Sequence, residues 1–195
     1  MVKKLINMKN SSEKSANVST TIRIPKKVFE KIELEATTQD SNISNLINSI
    51  LRKYVAWDRF VGDIGYMHMP KAFLRSMFEK ITKEDMEKLA TTTGHSRMRD
   101  AILFINGKVD LDGTINVIKL WLSASEIPIR IIRDSESVEF IVPHNLGQKW
   151  SMYFAIILKT IFDELNLSLK KEDLEEHTVT IIFSINTNTS NKKKS

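Results

Sequence analysis

The 195-residue chain contains no cysteine. That absence excludes a disulfide framework, a zinc–thiolate centre and a thiol nucleophile, and it fits a reducing, cytoplasmic setting. No run approaches the roughly 18 apolar residues that a membrane-spanning helix needs. The start, MVKKLINMKNSSEKS, has bases with no apolar stretch behind them, so a soluble, unprocessed protein without a membrane partner is expected. A glycine-rich phosphate loop, a nucleophile elbow and carboxylates paired in an apolar run are also missing. The chain therefore reads as a non-enzyme, and no cofactor is expected.

What is present suffices for a core: 42% of the residues are hydrophobic, enough for one large domain or two small ones. The charge is uneven. Residues 1–57 hold ten Lys or Arg against five Asp or Glu, whereas residues 58–195 hold nineteen of each, so the whole net charge of +5 sits in the first segment. A basic segment on a neutral remainder points to an anionic partner, either nucleic acid or a membrane surface. Residues 1–17 are rich in Asn, Ser and Lys, and with the tail 186–195 they are expected to be disordered.

Hydropathy patterning begins at STTIRIPKKVFEKIELEA, residues 19–36. Ile22 and Ile24 alternate with Thr21 and Arg23, the period of a strand with one buried face, and Pro25 ends it while suiting the first turn of a helix. Val28, Ile32 and Ala36, with Phe29 beside them, make an apolar helical stripe. After TTQDSN a second stripe runs through Ile43, Leu46, Ile47, Ile50, Leu51, Tyr54 and Val55, with Asn42 or Ser44 as its N-cap. The strand has no local partner and the unit is too small to enclose a core. Both deficits call for a second copy, whose antiparallel strand would complete a ribbon.

The segment STTIRIP, the eleven-residue step from Pro25 to Ala36 and SNISNLINSILRKY resemble the ribbon-helix-helix family of MetJ/Arc-type regulators over residues 19–57. The resemblance implies a homodimer on double-stranded DNA, a transcriptional regulator whose paired strands lie in the major groove. Ser19, Thr21 and Arg23 would then face base edges, with the Arg23 fork suited to guanine. Asn42, Ile43 and Ser44 would offer backbone amides to a phosphate, and Lys26 and Lys27 would add phosphate contacts. Two positions depart from the family pattern. Asp40 stands where the turn often has glycine, and aspartate enters the left-handed region more readily than most residues. Ser19 and Thr20 stand where a base is common.

In the rest of the chain PKAFLRSMFEKI, TKEDMEKLATTTG, HSRMRDAILFINGKV and LDGTINVIKLWLSASE read as four helices, with Thr82 and Asp85 as a capping pair. IPIRIIRD and SVEFIVP read as a hairpin around DSES, LGQKWSMYFAIILKTIFDEL as a long apolar helix and TVTIIFSI as a last strand. KEDLEEH reads as a solvated helical face. Ile132, Ile141 and Ile182 fall on the wet face of the sheet, which therefore calls for a cover.

The expected fold class is α+β: a ribbon-helix-helix unit over residues 18–60, intertwined as a dimer, then over residues 66–185 a mostly helical domain with a small antiparallel sheet of about three strands. The hairpin, long helix and final strand resemble the end of the heme-NO-binding and 4-vinyl-reductase type of sensory domain. His144 in VPHNLGQKWS reads as a helix-entry residue with an ordinary hydrogen bond. MHMP, residues 67–70, sets two thioethers around an imidazole, donors that suit copper(I) but at no cage spacing. The second domain is expected to sense a small-molecule effector or to assemble the protein. The alternative is an antitoxin-like protein-interaction module in which DNA binding is secondary.

Overall fold

The computed structural model describes residues 17–185. The expectations of disorder for residues 1–16 and 186–195 lie outside that range. The chain divides into two compact units between Ser49 and Ile50.

The described part of the first unit begins with residues 17–25, a lead-in segment without helix or strand, and continues into helix α1, Lys26–Thr38. The Pro25 carbonyl accepts from the Val28 and Phe29 amides at 2.9 and 3.0 Å, so the proline starts the helix without its own missing N–H being felt. The helix ends in a Schellman-type turn. Asp40 takes φ 49°, the Ser41 amide donates to the Ala36 carbonyl at 2.8 Å, and the Asp40 amide donates to Thr37 at 3.2 Å. Aspartate thus does at this turn what glycine does more cheaply. Helix α2, Ile43–Ala56, is capped by Asn42, whose Oδ1 accepts from the Asn45 amide at 2.8 Å. The boundary between the units falls within α2.

The strand expected at Ser19–Ile24 does not form. Among the described residues the first strand begins at Arg130, and residues 17–24 make no ladder bond. The fold class is corrected accordingly: the single chain starts with two helices behind a lead-in segment, not with a strand-helix-helix unit. The reason is pairing. A strand exists only through a neighbour's backbone, and the four strands among the described residues pair only with one another.

The second unit has a 3₁₀ turn at Asp58–Phe60, then α3 (Lys71–Lys80), α4 (Lys83–Leu89), α5 (His95–Asn106) and α6 (Leu111–Ala124). Strands β1 (Arg130–Arg133) and β2 (Ser137–Pro143), helix α7 (Gln148–Glu164), and strands β3 (Leu167–Leu174) and β4 (Thr178–Ile185) complete it. Thr82 caps α4 by accepting from the Asp85 amide, and Asp110 caps α6 through Gly113. Helices α4 and α5 are not separate bodies. Ala90–Gly94 is a π-helical segment that carries one helical run into the next, so Gly94 sits inside a helix and not at a break.

The sheet is antiparallel throughout, in the order β1-β2-β4-β3. It has four strands where about three were expected, because KEDLEEH lies largely on β3 and is not a helical face. β3 is an edge strand with a register shift between Leu169 and Lys171, and its charges lie on both faces, which hides the period of two. Val138, Phe140, Val142, Val179, Ile181 and Phe183 alternate onto one face and are buried. Helix α7 covers that face. Phe162 lies 5.3 Å from Phe140 and 4.6 Å from Phe183, ring centre to ring centre, and Trp150 stacks on Phe154 at 5.1 Å. On the opposite face Ile132 stays exposed, and Ile141 and Ile182 are half-buried.

Candidate functional site

All eight residues singled out for DNA contact belong to the first unit. Ser19, Thr21 and Arg23 are exposed on the lead-in segment, Lys26 and Lys27 are exposed on the first turn of α1, and Asn42, Ile43 and Ser44 form the start of α2. Asn42 spends its side chain on its own cap, which leaves the Ile43 and Ser44 amides as the groups directed beyond the helix end. Lys26 has an exposed pair with Glu30 at 3.8 Å, a weak contact. Arg23 and Lys27 have no ion pair among the described residues.

The structure sharpens the charge argument. Between residues 17 and 49 four bases meet four acids, so the excess does not belong to the described part of this unit as a whole. It is polarised instead: Arg23, Lys26, Lys27 and Lys31 lie before and in the first half of α1 with Glu30 among them, whereas Glu33 and Glu35 lie in its second half and Asp40 just past its end. This order opposes the helix dipole. α1 has no acid in its first turn and no base in its last, the reverse of what stabilises a helix by roughly 0.3–1 kcal/mol per charge.

The apolar side of the unit is open. Ile22, Val28 and Phe29 are 59, 47 and 38% exposed, and of residues 17–49 only Ala36 is buried. Helix α2 buries no residue at all, and its later stripe of Ile50, Leu51, Tyr54 and Val55 is exposed.

The second unit holds three features of interest. His144 is buried at the junction of β2 and α7. Its Nδ1 accepts from the Leu146 amide at 2.9 Å, so Nε2 carries the proton and donates to Ser151 Oγ at 2.9 Å, and Ser151 donates to the Glu175 carbonyl at 2.5 Å. Burial, helped by the His177 charge, lowers the His144 pKa to about 4. This closed relay makes His144 a neutral latch between the start of α7 and the turn joining β3 to β4. The MHMP segment is a connector before α3, with Met67 77% exposed.

The third feature was not visible in the sequence: a cavity of about 340 Å³ beside the π segment. Ile64, Tyr66, Arg97, Met98, Trp121 and Ile157 line it, with Thr93, Gly94 and Tyr153. Gly94 allows the π segment to pack closely against α7 at its edge, since a Cβ there would lie 2.7 Å from Ile157 Cδ1 and 2.9 Å from the Tyr153 hydroxyl. The lining comes from the connector before α3, the π segment, α5, α6 and α7, and no local motif announces such a convergence. The π segment was the one readable trace, a threonine run before a glycine within a helical pattern. No protein-family model matches the sequence, and a comparison with curated proteins finds no match.

Proposed function

We propose that the chain is a dimeric, sequence-specific DNA-binding protein of the cytoplasm, acting as a transcriptional regulator. Two copies close the apolar side of the first unit against each other, and their lead-in segments lie together in the major groove. Arg23, with Ser19 and Thr21, reads base edges there. Lys26, Lys27 and the Ile43 and Ser44 amides hold phosphates, with Asn42 shaping that helix end. The second unit senses a small molecule or joins dimers.

The observation that carries this reading is the open apolar side of a unit that buries only Ala36 among residues 17–49. An amphipathic helix pair in that state needs a partner surface. Three further facts support DNA as the ligand. Arg23 has no ion pair within the described chain. The lysines of α1 stand where the helix itself would favour acids. Residues 19–57 also resemble a family of DNA-binding dimers.

Selection of bound sequences from random duplexes by the full chain tests this directly. Arg23→Ala is expected to weaken the selected site by about 1–3 kcal/mol and to relax one base pair per half-site, whereas Lys27→Ala lowers affinity for every sequence and flattens the salt dependence. If no sequence is enriched and the chain instead copurifies in a stoichiometric complex with a second protein, the antitoxin-like alternative replaces this reading.

A further inference from the structure

The cavity beside the π segment is a built site with an unusual balance of polar groups. No lining side chain is acidic. The hydroxyls of Tyr66 and Tyr153 have no hydrogen-bond partner among the described residues, and both residues are half-buried. Burial raises the pKa of each, Tyr66 to about 12, so both stay protonated as donors at neutral pH. The two rings are held from behind: Tyr66 meets Trp57 edge-on at 5.3 Å, and Tyr153 lies 5.3 Å from Phe78. Arg97 stands at the solvent edge. Its exposed pairing with Asp100 is loose, 3.8 Å, and leaves most of the guanidinium donors unused.

The site thus offers two phenolic donors and a cation, with no acid in its lining and only the loose, exposed Asp100 pairing outside it. Between them lie apolar walls from Ile64, Met98, Trp121 and Ile157. A volume of about 340 Å³ is at the small end of ligand pockets, roughly 300–1,000 Å³. A π segment costs backbone hydrogen bonding and marks functional sites more often than chance, and here it carries Thr93 and Gly94 into the lining. Gly94 lets the π segment pack directly against Ile157 and the Tyr153 hydroxyl, where a Cβ would clash, and so fixes that wall of the cavity.

We infer that this cavity binds a small monocarboxylate with an apolar alkyl or aryl body. Arg97 and the tyrosine hydroxyls hold the carboxylate, and the body lies against Met98, Trp121 and Ile157. The assignment makes the sensing role proposed for the second unit specific, and it does not depend on which DNA the first unit binds. The donor excess selects an acceptor, the cation selects a negative one, and the small apolar chamber excludes phosphorylated or strongly hydrated anions.

Calorimetric titration of the full chain without DNA tests the assignment, using octanoate, 3-phenylpropionate and indole-3-acetate, each beside its matched primary alcohol. At least one carboxylate is expected to bind one site per chain, about tenfold more tightly than its alcohol. Arg97→Gln is expected to erase that preference while the alcohol still binds as before. The double substitution Tyr66→Phe, Tyr153→Phe is expected to weaken the carboxylate roughly fivefold without lowering the melting temperature, because neither hydroxyl supports the fold. Binding of none of the three at roughly 1 mM overturns the assignment, as does equal binding of acid and alcohol or unchanged affinity in both variants. A chain that binds a carboxylate but selects no DNA sequence would leave this inference standing and remove the DNA reading, and the opposite pair of results would do the reverse.

Discussion

Helices α1 and α7 are both amphipathic, yet one leaves Val28 and Phe29 open while the other buries Phe154, Leu158, Ile161 and Phe162. The difference does not lie in the stripes. Helix α7 has a sheet from its own chain to lie on, with the alternating faces of β2 and β4 presenting Phe140, Ile181 and Phe183. Within the first unit, α1 has no such layer. An apolar stripe is thus a demand for a surface, and whether the chain itself supplies that surface decides whether the element is core or interface.

The contrast breaks most sharply at the core. Phe162→Ala should destabilise the second unit by about 3–5 kcal/mol in urea unfolding, since the ring fills the space between Phe140 and Phe183 and its loss leaves a cavity. A loss below about 1 kcal/mol would show that the sheet and α7 are not the closed layer described.

The next effect tests the latch beneath that layer. His144 has a folded pKa of about 4 against an ordinary 6.5, so between these values the unfolded chain binds the proton first. Its contribution to stability is therefore complete above about pH 6.5, falls as the pH drops toward 4, and levels off below that, by at most about 3 kcal/mol. His144→Gln should remove this part of the pH slope. An unchanged slope would show that other groups set the acid sensitivity.

A smaller effect separates local from tertiary support. Thr82→Ala removes the acceptor for the Asp85 amide at the start of α4 and should cost about 1 kcal/mol. Because α4 runs through the π segment into α5, amide exchange should rise along the start of this run and leave the sheet protected.

The smallest expected change in stability is the most telling for the first unit. Val28→Ser, at a 47% exposed position, should alter the unfolding of the second unit by less than about 0.5 kcal/mol. The same substitution should shift the sedimentation equilibrium toward monomer, because the open stripe is what a second copy would cover. A dimer unaffected by Val28→Ser would move the interface elsewhere.

Local patterning determined a good deal of this protein. The proline before α1, the Asn42 and Thr82 caps, the left-handed Asp40, the β1–β2 hairpin and the strongly apolar α7 all follow from neighbours a few residues apart, where capping, turn chemistry and periodicity act. The candidate DNA contacts were inferred by the same kind of local reading, within one short stretch from Ser19 to Ser44. What only the tertiary structure decided involves partners far along the chain. Ser19–Ile24 has the alternation of a strand, but alternation supplies side chains for a face and not the second backbone that makes a ladder. LSLKKEDL lacks clean alternation, yet pairing with β4 makes it a strand. Gly94 ends one helical pattern in the sequence, yet it lies inside a continuous helical run packed against Ile157 and Tyr153, beside a cavity whose walls span Ile64 to Ile157. Periodicity is a property of a segment, whereas a ladder and a cavity are properties of segments brought together, and the packing of α7 against the sheet and helices does the bringing.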